Sequence, residues 1–238
     1  MRRAVKIMII ASVCLMLSRP AFATPSTQIW NPSTDIQAFG TTHLGIDNYF
    51  TFIWPKDGGY AFPTDVGLTY GALPGLEIGI DSFTPSSYQY TFNVKYGIPE
   101  WDIYPAFAVG EFNFGFNRDS EGRTADQNIA YAVLAKTFGL GRLTAGYYSG
   151  NELVLRNADD EKANTGFILT WDKMITDKIW ACLDYASGYS AYGSFFSGMS
   201  YSFAQNTSII FGYGTFNMHQ NTGDGFDPVM TTQVDINI

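Results

Sequence analysis

The stretch VMTTQVDINI, residues 229–238, sets apolar Met230, Val234, Ile236 and Ile238, interrupted only by Thr232, against polar Thr231, Gln233, Asp235 and Asn237. Successive side chains of a strand point to opposite faces, so this alternation describes a β-strand with one oily and one wet face. The same pattern recurs upstream. TTHLGIDNYFTF puts Leu44, Ile46, Phe50 and Phe52 opposite His43, Asp47 and Thr51. FPTDVGLTY puts Phe62, Val66, Leu68 and Tyr70 opposite Asp65 and Thr69, and LEIGID puts Leu76, Ile78 and Ile80 opposite Glu77 and Asp81. YQYTFNVKYGI is the clearest case, with Tyr88, Tyr90, Phe92, Val94, Tyr96 and Ile98 facing away from Gln89, Thr91, Asn93, Lys95 and Gly97. Further segments near 104–114, 128–137, 142–149, 165–172, 178–187, 194–203 and 207–217 bring the total to about twelve, an all-β meander.

Most of these segments run to about eight to eleven residues, whereas globular strands commonly have about five or six and a tilted strand crossing a bilayer needs about 9–11. The connections alternate in size. ALPG, PEWD, FGLG, MITD and AQN are tight; WPKDGG, TPSS, NRDSEGRTADQ, GNELVLRNADDEKAN, GYSAYG and MHQNTGDGFDP are mostly longer and more polar. Tight turns at one end and long loops at the other indicate a transmembrane antiparallel up-and-down β-barrel of about 12 strands. An even strand number returns both chain ends to the turn side. The last strand then pairs with the first, because in lipid an open edge would leave backbone N–H and C=O groups unsatisfied. The apolar face is expected outside, and the polar face, with Gly45, Gly67, Gly79, Gly97 and Gly146, inside.

One segment is ambiguous. TADQNIAYAVLAKTFG, residues 124–139, offers Thr124 as an N-cap, Ile129 and Val133 four apart and Gly139 as a C-cap, all helix features. Parity of strand number makes it a strand, with Ile129, Tyr131, Val133 and Ala135 expected toward lipid.

The chain opens with MRRAVKIMIIASVCLMLSRPAFA, a basic start (Arg2, Arg3, Lys6), an apolar run from Ile7 to Leu17 and a small-x-small site at Ala21-Phe22-Ala23. This is the layout of a cleaved secretory signal peptide over residues 1–23, leaving a single barrel domain over 24–238. The mature part has 10 Lys and Arg against 22 Asp and Glu, a formal charge of −12, which argues against nucleic acid as a partner. Its one cysteine, Cys182, excludes an internal disulfide.

On this whole-chain pattern, rather than on any signature motif, the sequence resembles the small porin-like outer-membrane barrels of Gram-negative bacteria. It departs from them in ending on Ile238, where such barrels usually end on an aromatic residue. The resemblance implies a location in the outer membrane, contact with its lipid and lipopolysaccharide, insertion by the barrel-assembly machinery, and passive diffusion of small solutes. A closed-lumen barrel serving adhesion, envelope structure or a partner complex is the alternative, and a lipid-modifying enzyme is the third reading.

The lumen register holds Asp47, Asp65, Glu77, Asp81, Glu111, Asp172, Asp184 and Asp235 against Lys95, Lys136 and Arg142. A wall with one sign of charge in excess favours ions of the other sign, here cations. The lipid face is expected to show Phe50, Tyr70, Tyr88, Tyr90, Phe92, Tyr96, Phe112 and Trp171. Tyr and Trp near strand ends, namely Trp54, Tyr60, Tyr70, Trp101, Tyr104, Trp171 and Tyr185, suit interfacial girdles.

Catalysis needs a nucleophile, base and orienting group within hydrogen-bond reach. There are two histidines, His43 and His219. His43 and Asp47, four residues apart on one strand, are separated by about 13 Å, too far for a dyad. His219 lies in a loop near Ser208 and Asn217 without a recognisable motif. No cofactor or metal is expected, since neither Asp159-Asp160-Glu161 nor Asp224 with Asp227 has calcium-loop spacing. The residues before strand one are too few for the plug domain of a large transporter.

Overall fold

The computed structural model describes residues 26–52, 58–218 and 226–238. The leader region, residues 53–57 with Trp54, and residues 219–225 with His219 and Asp224 lie outside the described residues. Twelve antiparallel strands close into a barrel: β1 Thr42–Thr51, β2 Thr64–Leu73, β3 Leu76–Thr84, β4 Tyr90–Ile98, β5 Ala106–Phe114, β6 Ile129–Phe138, β7 Gly141–Ser149, β8 Thr165–Met174, β9 Ile179–Ala186, β10 Ser194–Ala204, β11 Thr207–Phe216 and β12 Val229–Asn237. Each strand pairs with its sequence neighbour, and β12 closes on β1 from Thr51↔Val229 to His43↔Asn237. Residue 238 joins the seam, its N–H donating to Thr42 O at 2.8 Å and its carbonyl accepting from Thr42 N at 3.0 Å. Turns of two to four residues join β2 to β3, β6 to β7, β8 to β9 and β10 to β11. The β4–β5 connection at the same end, expected as a tight turn, runs over residues 99–105, while the connections at the other end range from residues 85–89 to residues 150–164. The 124–139 segment is a strand over β6, as parity required.

The wall is apolar outside and mostly polar within. Leu68, Tyr70, Ile78, Tyr96, Leu143, Phe167, Leu169, Leu183, Met199 and Phe211 are exposed. Thr69, Thr144, Thr170, Ser194, Ser200, Thr231 and Gln233 are buried. A soluble barrel has the opposite distribution, since water would leave that much contiguous apolar surface uncovered.

Two strands run with their faces reversed from the sequence reading. Ile129, Tyr131, Val133 and Ala135 of β6 are buried in the interior, and Ala130, Ala132 and Leu134 face outward. Their outward assignment is corrected because Ile129, Tyr131 and Val133 pack inside with Tyr148, Leu155 and Tyr192, where oily groups gain more than alanines would. In β5, Phe112 also points inward, its ring 5.7 Å from Tyr131 and 5.6 Å from Tyr192. Glu111 lies on the outer face opposite Val94. The cause is a register shift between Phe92 and Val94, next to Asn113 at φ 50°, which offsets β5 against β4 and breaks simple alternation. Lys136 is likewise on the outer face opposite Leu143 and pairs with Glu100 at 2.8 Å.

Candidate functional site

The barrel is not hollow. Residues 26–39, read from sequence only as a polar opening, turn into the lumen as a hairpin closed by the Thr27↔Pro32 bridge. At its tip the backbone N–H groups of Ile29, Trp30 and Asn31 all donate to Asp184 Oδ2 on β9, at 3.1, 2.8 and 3.0 Å. Asn31 Nδ2 and Thr170 Oγ1 donate to the other oxygen at 2.5 and 2.9 Å. Consecutive N–H groups converging on one carboxylate form a nest, and five donors occupy this buried anion fully. The Trp30 ring stacks on Phe196 at 5.2 Å and donates its indole N–H to Tyr192 O in the β9–β10 loop. Gln233 Nε2 and Tyr49 OH donate to Ile29 O.

The returning arm is held at the turn end. Arg142 joins Asp35 at 2.7 Å and Asp172 at 2.9 Å, and Gln37 N–H donates to Glu77 at 2.6 Å. Lys95 Nζ lies 3.2 Å from Glu77 and donates to Ser26 O. No plug domain is needed. About fourteen residues suffice because side chains from β6 to β12 and the loop residues Leu155 and Tyr192 already crowd that half of the lumen.

These contacts sort the sequence-derived charges. Asp47, Asp65, Glu77, Asp81, Lys95, Arg142, Asp172, Asp184 and Asp235 all lie on interior registers. Six of them are engaged: Glu77 with Lys95, Asp172 with Arg142, Asp184 with the hairpin, and Asp235 with His43 at 3.2 Å. Asp47, Asp65 and Asp81 remain, and among the described residues no Lys, Arg or His forms an ion pair with any of them. Asp47 and Asp65 are cross-strand partners on β1 and β2, so their Cβ atoms lie about 5 Å apart. Asp81 reaches across from β3 because its register partner is Gly67, where a Cβ would stand 2.6 Å from Asp81 Oδ1. Asn93 Nδ2 donates to Asp81 at 2.6 Å, and one buried oxygen of Asp65 has no hydrogen-bond partner among the described residues.

The three carboxylates line a cavity of about 410 Å³ between the hairpin and strands β1–β5. Tyr49, Phe62, Phe83 and Phe112 wall it on the long-loop side. Of the aromatic residues expected on the outer wall, Phe50, Tyr70, Tyr90, Phe92 and Tyr96 lie on outward registers. Trp171 does too, with its indole N–H on Leu140 O. Tyr88 sits at the rim and borders the cavity. Tyr60 and Phe62 turn inward, meeting edge to face 5.5 Å apart at the loop end rather than on the outer wall. His43 and Ser208 each bind a different oxygen of Asp235, at 3.2 and 3.4 Å.

Lys95 therefore serves the structure rather than the field of the lumen. Replacing it with glutamine leaves Glu77 buried without its cation, a loss of about 3–5 kcal/mol. Thermal unfolding of the barrel in detergent should show that drop, and an unchanged midpoint would contradict the pairing.

No protein-family profile and no curated protein matches the sequence. Among solved structures the fold is similar to that of the NanC porin, at 12% identity and TM-score 0.56, over 81% of this chain and 98% of that one. It is similar as well to an outer-membrane channel from Pseudomonas putida F1, at 9% identity and TM-score 0.52, over 86% and 98%. The likeness is one of fold. At such identities it says nothing about the residues of the cavity.

Proposed function

We propose that the chain spans the bacterial outer membrane as a porin-like channel and lets small polar or cationic solutes diffuse passively. The supporting observation is the inverted distribution of polarity in a closed barrel, combined with an acidic cavity that the hairpin leaves open along β1–β5. On this reading, residues 1–23 are the export signal, the barrel-assembly machinery inserts the chain, and lipid with lipopolysaccharide surrounds the apolar wall. The solute path runs beside the hairpin, past Asp47, Asp65 and Asp81, whose fields add because they share one side of the barrel.

A closed barrel of structural or adhesive role is the second reading, favoured by residues 26–39 lying inside the lumen together with the side chains of β6–β12. Reconstitution into planar bilayers separates the two. A channel gives discrete current steps from the intact protein. Silence both from the intact protein and from a form lacking residues 26–38 would leave the closed barrel.

A further inference from the structure

Two features of the cavity lie outside the ion-diffusion reading. The first is its chemistry in layers. Along β1, Asp47 and Tyr49 both face inward, about 7 Å apart at the rise of two strand residues. Asp65 is the register partner of both Asp47 and Phe83, and Asp81 sits one inward position nearer the turns, whereas Phe62, 6.3 Å from the Tyr49 ring, lies toward the long loops just before β2. An acidic floor thus lies beneath an aromatic collar.

The second is Thr91 on β4, the register partner of Asp81. It is 5% exposed, lines the cavity, and its Oγ1 has no hydrogen-bond partner among the described residues. A buried hydroxyl left without a partner costs about 1–3 kcal/mol, and here it borders the same space as the orphaned oxygen of Asp65. The carboxylate oxygen can only accept and the hydroxyl can accept as well as donate, so one donor group in this space can serve both.

We propose that this cavity binds an organic ammonium ion with an aromatic or compact apolar body, which names the solute class of the proposed channel and rests on that reading. The ammonium N–H groups donate to the carboxylates of Asp47, Asp65 and Asp81 and to Thr91 Oγ1. The body packs within the collar of Tyr49 and Phe62, where ring faces also attract the positive end. A bare metal ion would use the floor and leave the collar idle. An anion is repelled by the floor, and a neutral alcohol supplies too few donors.

The test is calorimetric titration of the full-length mature protein in detergent with phenethylamine, phenethyl alcohol and methylamine. Phenethylammonium should bind about tenfold or more tightly than either, since the alcohol lacks the charge and methylamine lacks the ring. Asp65→Asn combined with Asp81→Asn should remove the preference over the alcohol. Phe62→Leu should remove the preference over methylamine while leaving the charge effect, and Thr91→Val should weaken amine binding alone. Retained folding is read from heat-dependent gel migration. Equal binding of amine and alcohol, or displacement of the amine by potassium at matched concentration, would overturn the proposal. Binding is read without any current, so a silent bilayer with a selective titration rejects only the channel, and a conducting protein that binds no amine rejects only this inference.

Discussion

Asp184→Asn should raise the single-channel conductance by detaching residues 26–39 from the wall. The carboxylate accepts five hydrogen bonds, three from consecutive backbone N–H groups and two from Asn31 and Thr170. Asparagine keeps the shape but turns one acceptor into an NH₂ donor. In either amide orientation that donor faces other donors, leaving buried N–H or O–H groups unsatisfied at about 1–3 kcal/mol each. A loss of about 3 kcal/mol changes the ratio of inserted to released hairpin by about 150-fold. Removing residues 26–38 sets the upper limit, and Asp184→Asn should populate the same conductance level for part of the recording. Identical current histograms for Asp184→Asn, the shortened form and the intact protein would mean that the hairpin does not obstruct the path.

The second large effect is expected on the outer wall. Leu134 lies near the middle of β6 and is 49% exposed, facing outward beside Ala132. Leu134→Arg places a cation where lipid would surround the wall, at about 2–4 kcal/mol near the midplane. Barrel assembly in cells and the unfolding midpoint in lipid vesicles should both fall. Asn48→Arg, on the outward register of β1 but closer to the rim, should cost less. Full tolerance of arginine at 134 would place that wall outside lipid.

Leu134 also marks what the sequence could disclose. The strands and their pairing were legible because a period of two and the closure of the barrel are local and global constraints that agree, and the alternation of short and long connections holds except where residues 99–105 outrun residues 85–89. Which face of a strand points inward is legible only when the two faces differ in polarity. In β6 both are apolar, so Ile129, Tyr131 and Val133 resemble lipid-facing residues although they pack on Tyr148 and Tyr192. In β5 the register shift at Phe92 and Val94 reverses Glu111 and Phe112, and alternation gives no warning of a bulge.

The site was half legible for a related reason. Asp47, Asp65 and Asp81 were placed on the interior by period alone. That they stay without a cation while Glu77, Asp172 and Asp235 are paired depends on which side chains meet across the wall, and the engagement of Asp184 depends on residues 26–39, whose partners lie up to 204 positions away. The trace such an insert leaves in sequence is a lone Trp30 in a polar stretch without strand periodicity. Thr91 and Tyr49 have no motif either. Their importance comes from the cavity that they border.

The central claim is that the barrel conducts past an acidic wall, and the reversal potential across a KCl gradient tests it most directly. Low salt is required, because the Debye length is about 10 Å at 0.1 M and about 3 Å at 1 M, where the field of the three carboxylates would be screened. The intact protein should show a potential of the sign set by potassium permeating faster than chloride, and Asp65→Asn with Asp81→Asn should move it toward zero. A chloride preference, or a potential that the double substitution leaves in place, would contradict the account.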